Sequence, residues 1–449
     1  MSSYSDKDAR GDSPYYDKIA VIGMNQIGLS YAMMLARYNP VLGFDNNRQL
    51  IDKLNSKERN RDEAFSNKCF DYIKDIIGEN NYKSVEYYIN DLMIDFSNNI
   101  EDLKDHKIII IALQTSFSDN KKCIETDHIN DFLTDLFKLE TARDKIIIIK
   151  SIIPVGFIEH LRNKFNTNNI FYAPEMNEAN TLIHSFITNK YPAIVGADIK
   201  NKFEIKMTKK YLNLLQDSTD NMRKFKEYVI NIKAAETFKL FHDAYLAMRV
   251  SFFNELDTYC KETNISDYDI DFIISLLGED YRIGDYYNNP SFGYNGLYLP
   301  TAVKQISNKS DQCKLIKSIE NSNSNRLSYI RDDIIEKYPS VKTIGIYRLL
   351  DNRDSNTAFD SSSIKLIEML KSADYKIKIY APTESEYLPK DKDYDIINDL
   401  EVFVNDVDLI VANRIDNKLM MINRSKPIYT RDLLIENDYI NNNKEEEDD

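Results

Sequence analysis

Two short runs, each with four consecutive isoleucines, limit the fold of this chain more than anything else in it: KIIIIAL at 107–113 and KIIIIKSIIPVG at 145–156, separated by helical patterns. A strand whose successive side chains are all apolar must be buried on both faces, and helices that alternate with such strands supply the cover. The pattern predicts a parallel, doubly wound α/β sheet. Residues 17–45 follow the same plan. KIAVIG reads as a strand, GMNQIG as a tight turn, LSYAMMLARYN as a helix and PVLGFD as a second strand.

Within that strand–turn–helix, Gly23 and Gly28 hold the outer positions of a GxGxxG dinucleotide fingerprint. Asp45, ending the second strand, suits the acidic residue that accepts a hydrogen bond from a ribose hydroxyl. The pattern points to NAD. The middle glycine, which normally lets backbone approach the pyrophosphate, is replaced by Asn25. A side chain there obstructs the phosphates or forces a different pose, so the alternative is a Rossmann domain that kept its fold and lost its nucleotide.

At 449 residues the chain has room for two or three domains. Its formal charge of −14 argues against nucleic-acid binding, which requires clustered Lys and Arg. No segment reaches membrane-spanning length. The polar N-terminus, lacking the apolar core of a signal peptide, reads as a disordered lead over 1–16, and the acidic end NNNKEEEDD as a solvated tail within 437–449. Cys69, Cys123, Cys260 and Cys313 are far apart and the five His residues scattered, so neither a metal site nor a disulfide framework is expected. A reducing, cytoplasmic setting fits.

A helical pattern over 232–262 is apolar on more than one face, as expected of a helix that packs on its own domain and on a second subunit. A stretch rich in Tyr, Asn, Pro and Gly follows, RIGDYYNNPSFGYNGLYLPTAVK at 282–304, which reads as a long ordered loop. Tyr286, Tyr287, Phe292 and Tyr294 offer flat faces for a ring, and Gly293 and Gly296 permit close backbone approach. An aromatic-rich packing loop is the alternative. Further on, KTIGIYRLL, YKIKIYAP, DLIVANR and PIYTR read as strands of a second α/β domain, with a helix over SSSIKLIEMLKSA.

The loop closely resembles the substrate and nucleophile loop of the UDP-glucose 6-dehydrogenase family, in which RIGxxYNNPSFGYGG precedes Cys, an apolar residue, Pro, Lys and Asp. The resemblance runs from about residue 17 to 435 and implies two Rossmann-like domains joined by a helical middle domain. Its boundaries would be 17–204 for the NAD-binding domain, 205–325 for the middle and dimerisation domain with the substrate loop, and 326–436 for a UDP-binding-like domain. It implies a homodimer, a UDP-sugar substrate, and oxidation of UDP-glucose to UDP-glucuronate with two NAD molecules.

By the same resemblance, Glu175 in FYAPEMNEAN matches a glutamate that acts through water, and Lys239 the catalytic lysine. Thr115, in IALQT, falls beside the cofactor. Arg282, Tyr287, Asn288, Phe292, Gly293 and Gly296 fall at substrate-binding positions, and Arg348, with Arg353, is a candidate substitute for an Arg missing from the UDP-binding-like domain. Other positions depart from the pattern: Tyr298 stands for the nucleophilic Cys, Thr301 and Ala302 for the Lys and Asp after it, Asn295 for a Gly. Ile152 replaces a Thr, Asp243 an Asn, Gln114 a Pro, and Glu178 and Asn180 an Arg and a Gly. DSNTAFD at 354–360 lacks the Arg of the usual SDNFR.

The expected protein keeps the fold and loses the complete oxidation, because a thiolate is needed to turn an aldehyde into a hydride donor and then to leave. Two alternatives stay open. One is a working NAD-dependent nucleotide-sugar dehydrogenase of altered scope or single oxidation; the other is a structural oligomer without a small ligand.

Overall fold

The isoleucine runs 108–111 and 146–149 lie side by side as parallel strands with every residue buried, since branched side chains suit a sheet covered on both faces. They are central in an eight-stranded sheet. Its strands are β1 Ile19–Ile22, β2 Val41–Phe44, β3 Ile94–Ser97, β4 Ile108–Ile111, β5 Ile146–Ile149, β6 Ile170–Tyr172, β7 Ala193–Gly196 and β8 Glu227–Ile230. The order is β8-β7-β6-β5-β4-β1-β2-β3, parallel except that β7 and β8 run opposite to the other six. The period-two rule of strands divides the core: Ile19, Val21, Ile108 and Ile110 enter one hydrophobic cluster, Ala20, Ile22, Ile109 and Ile111 the other.

The computed structural model describes residues 18–55, 67–188, 190–219, 226–349, 362–381, 395–423 and 426–433. The expected N-terminal lead, the acidic tail, Arg353 and the segment DSNTAFD lie outside these residues. The described chain falls into two compact units divided between Lys239 and Leu240, with 116–123 grouped with the second. In the first unit, α1 (Gln26–Ala36) is buried along its whole length against the sheet. Here also are α2 (Phe157–Phe165), with Phe157, Ile158 and Leu161 turned inward, and α3 (Lys202–Asp217).

The helix expected over 232–262 is α4 (Ile232–Glu262), a single element of 31 residues. The second unit contains the part of α4 from Leu240 onward, together with α5 (Asp267–Glu279), α6 (Tyr298–Lys309), α7 (Lys314–Lys337) and α8 (Ser362–Lys371). Its sheet has five parallel strands, β9 Thr343–Tyr347, β10 Lys376–Tyr380, β11 Asp395–Ile397, β12 Leu409–Val411 and β13 Ile428–Tyr429, in the order β11-β10-β9-β12-β13. Among the described residues no helix is long and apolar enough to cross a membrane, and no three His, Cys, Asp or Glu side chains group as a metal site.

One local expectation is corrected. The loop does not extend to Lys304 but ends at Leu297, and Tyr298 opens α6. Pro300 is compatible with this because it sits in the first turn, where an N–H has no acceptor within the helix.

Candidate functional site

Strand order in the first unit reverses between β1 and β4, so the crevice at their C-terminal ends is where an open α/β sheet takes a ligand. The β1–α1 turn lies there. Gly28 packs so closely that a Cβ would lie 1.7 Å from the Gly23 carbonyl oxygen, and Gly23 itself has φ +93°. The Asp45 carboxylate is fixed at the rim, accepting from Met24 N at 2.8 Å and Asn47 N at 2.9 Å. Gly23 and Gly28 thus fit the tight turn and close helix packing of a dinucleotide fingerprint, and Asp45 its ribose-facing carboxylate. Asn25 caps α1: its Oδ1 accepts from Ile27 N at 3.1 Å and Gly28 N at 3.2 Å, and its Nδ2 donates to the Ala112 carbonyl at 2.6 Å. Thr115 is buried, with its hydroxyl donating to the Ile152 carbonyl at 2.6 Å, and the Ser151 hydroxyl donates to Leu113 O at 2.5 Å. The segments after β4 and β5 are thereby tied together.

Glu175 follows β6. It is buried rather than the surface carboxylate that its type alone suggests, and it forms an ion pair with buried Lys150 at 3.3 Å. Its Oε1 accepts from Met176 N, Asn177 N and the Asn177 amide at 2.9, 2.8 and 2.6 Å. Burial alone would push this carboxyl up, but the Lys150 ammonium and the Asn177 donors outweigh it and hold the group below its ordinary value. Burial lowers Lys150, with Glu175 opposing the shift. Tyr31 and Tyr211 complete the wall, their hydroxyls raised by burial and by the Glu175 charge. A cavity of about 20 Å³ lies among these side chains, room for one water.

Lys239 and Asp243, one helical turn apart on α4, are 6% and 2% exposed, so the ordinary surface pair that spacing suggests is not what forms here. Asp243 Oδ1 lies 2.9 Å from His242 Nδ1. The preceding turn is anchored by Glu236, whose carboxylate accepts from Gly156 N at 2.6 Å and Ile158 N at 2.9 Å and so caps α2. Ile152 is fully buried, where a Thr would present a hydroxyl.

In the second unit, the loop before α6 lies at the C-terminal edge of its sheet, where β9 and β12 adjoin. Phe292 N donates to Asn413 Oδ1 at 2.7 Å, and Arg414 Nη1 to the Pro290 carbonyl at 2.6 Å. Asn289 Nδ2 donates to Asp432 Oδ1 at 2.6 Å. Arg249 gathers the loop's first half, donating to the carbonyls of Ile283, Gly284 and Tyr286 and to Asn288 Oδ1. Gly293 has φ +137°, and a Cβ there would come within 2.6 Å of Asn323 Oδ1, the atom that accepts from Tyr294 N. Gly296 has φ +77° and open space around it.

The expected substrate positions divide on inspection. Phe292 is corrected as a flat face for a ligand: its ring is buried with Leu327, Ile330, Leu349 and Leu366 in the core of the second sheet. Arg282 is exposed and forms a 2.6 Å pair with Asp280, while Arg348, at φ +63° just after β9, pairs with Asp416 at 2.7 Å. Tyr287 also adopts a left-handed conformation, φ +61°, and is partly exposed. Arg249, Asn413, Arg414 and Asp432 were not singled out from the sequence. For Asn413 and Arg414 the available signal was their place directly after a parallel strand, where such sheets present ligand-facing groups.

Comparison with known proteins gives one consistent answer. The NAD binding domain of the UDP-glucose/GDP-mannose dehydrogenase family matches residues 17–213, and the central domain of that family matches 233–325. The UDP-glucose 6-dehydrogenase of Streptococcus pneumoniae is 32% identical over 425 residues, 93% of this chain and 99% of the relative. That of Campylobacter jejuni is 32% identical over 419 residues, covering 90% and 96%. Among solved structures, a UDP-glucose dehydrogenase from Pyrobaculum islandicum superposes with a TM-score of 0.76 at 15% identity, covering 94% of this chain and 95% of its own, a likeness of fold.

Proposed function

This chain belongs to the UDP-glucose/GDP-mannose dehydrogenase family, and from that membership we propose a UDP-glucose 6-dehydrogenase-like protein of nucleotide-sugar metabolism that has lost the complete two-step oxidation. The reading rests on Tyr298, which falls at the nucleophile position by the resemblance of its loop and opens α6. Taking an aldehyde to an acid by the family's route requires a group that adds to the carbonyl carbon, lets a hydride depart, and then leaves to water. A thiolate does all three. A phenol, with a pKa of about 10, is protonated at neutral pH and bulkier.

The surrounding positions support the same reading. Thr301 and Ala302 are buried in α6 where the pattern has Lys and Asp, so neither a cation nor a carboxylate is supplied there. Asp243 puts a carboxylate where an amide would stabilise a developing oxyanion, and negative charge at that point opposes the transition state. NAD bound at the β1–α1 turn would serve as hydride acceptor. The chain's own contribution is Asp45 for the ribose, Lys239 and Glu175 for proton handling, and the 289–296 loop for the UDP-sugar. A homodimer formed through α4 completes the reading.

The test is NADH formation, followed by near-ultraviolet absorbance, with UDP-glucose and a panel of UDP- and GDP-sugars. The expected result is no turnover at or above about 1 per second, the lower end for ordinary enzymes. A clear rate overturns the reading.

A second reading is favoured by the buried Lys150–Glu175 pair, which keeps an ionised carboxylate in place. With Lys239 also retained, a single oxidation to the aldehyde remains chemically open. One NADH per sugar would establish that reading; two would rule it out.

A further inference from the structure

We propose that Asn25 is a built-in occupant of the phosphate seat at the N-terminus of α1, and that this side chain, rather than a loss of the fold, sets the chain's affinity for a dinucleotide. The proposal rests on the reading that the β1–α1 turn takes NAD. The first N–H groups of a helix have no acceptor within it, and with the helix dipole they form a ready seat for a phosphate oxygen. In α1 two of them are already engaged. Ile27 N and Gly28 N both donate to Asn25 Oδ1, at 3.1 and 3.2 Å. The amide is held from its other end as well, because Nδ2 donates to the Ala112 carbonyl at 2.6 Å.

That tether decides the matter. An asparagine bonded only to the helix end could turn aside as a phosphate arrived. Here, turning aside breaks three hydrogen bonds and strips Ala112 O, at the end of β4, of its Asn25 partner. The amide oxygen thus stands where a phosphate oxygen would sit, without the charge. The rest of the site is in order: Gly23 and Gly28 give the close packing of turn and helix, and Asp45 is held at the rim by Met24 N and Asn47 N. The obstruction is therefore confined to the pyrophosphate, and the adenosine end is left as the fingerprint requires.

The experiment is isothermal titration of the full-length chain and its Asn25→Gly variant with NAD, ADP-ribose and adenosine. Glycine is well tolerated at a helix cap, and circular dichroism checks that the variant is folded. The expected result is that Asn25→Gly binds NAD and ADP-ribose about tenfold more tightly or better, a gain of about 1.4 kcal/mol, with adenosine unchanged. Asn25→Asp keeps the cap but adds a negative charge, and is expected to weaken NAD further. Equal or weaker NAD binding by folded Asn25→Gly, no binding by either protein, or an equal gain for adenosine overturns the proposal. Because binding and not turnover is read, the result is separate from whether the unmodified chain forms NADH.

Discussion

Glu175 shows how much one side chain can depend on its neighbours. A carboxylate this deeply buried survives as an anion only because Lys150 and the Asn177 donors compensate it. Removing the charge by Glu175→Gln leaves a buried ammonium without its counter-ion, and breaking a buried pair in this way costs about 3–5 kcal/mol. The pH dependence follows from the lowered carboxyl. Its stabilising contribution is complete above the ordinary value of 4.5 and is lost as pH falls through the lower folded value. Urea midpoints of the two proteins should therefore differ widely at pH 7 and converge as pH falls below 4.5; a gap that persists undiminished would show that Glu175 is not ionised in the folded chain. Sequence reasoning reached Glu175 only through a resembling motif. Lys150 was hidden because a lysine after four isoleucines reads as a polar strand end, and nothing local marks it as the partner of a residue 25 positions on.

The long helix was legible to the residue because its signal is periodic and local. Where α4 departs from an ordinary one-sided helix is in its exposed aromatics: Phe241, Tyr245, Phe252 and Tyr259, the last two 58% and 66% exposed. Spacings of four, seven and seven place them on one stripe of the helix. Large apolar side chains left in water along one stripe mark an association surface, in keeping with the proposed homodimer. Phe252→Asp puts a charge in the middle of that stripe, and sedimentation should show a shift from dimer to monomer while far-ultraviolet circular dichroism stays unchanged. An unaltered dimer would remove α4 from the interface. The start of α6 was not legible in the same way. Pro300 reads as a breaker by composition, and only its position in a first turn makes it compatible with a helix beginning at Tyr298.

At the scale of the whole chain, the parallel strands of both sheets could be anticipated from apolar runs, but the reversed direction of β7 and β8 could not, nor could the contacts that fix the loop at the second sheet, because their partners lie far apart in sequence. Asn413 meets Phe292 across 121 residues and Asp432 meets Asn289 across 143. Another such connection in the second unit is Asp257 of α4, which is fully buried. Its Oδ2 accepts from Arg326 of α7 at 2.6 Å and from Arg431, just beyond β13, at 3.0 Å, while Arg431 also reaches Asp267 at 2.7 Å. Arg326 in turn donates to the Ser291 carbonyl at 2.9 Å, so the carboxylate also supports the loop. Replacing such a group with matched apolar side chains can be neutral, but removing the anion alone strands the buried Arg326 guanidinium and leaves that of Arg431 with only Asp267, and neither can shed its charge. Asp257→Ala is therefore expected to lose about 3–5 kcal/mol. The chain has no tryptophan, so denaturant unfolding would be followed by circular dichroism; a loss below about 1 kcal/mol, the scale of exposed pairs, would mean that α4, α7 and the C-terminal segment are held together by packing and not by this carboxylate.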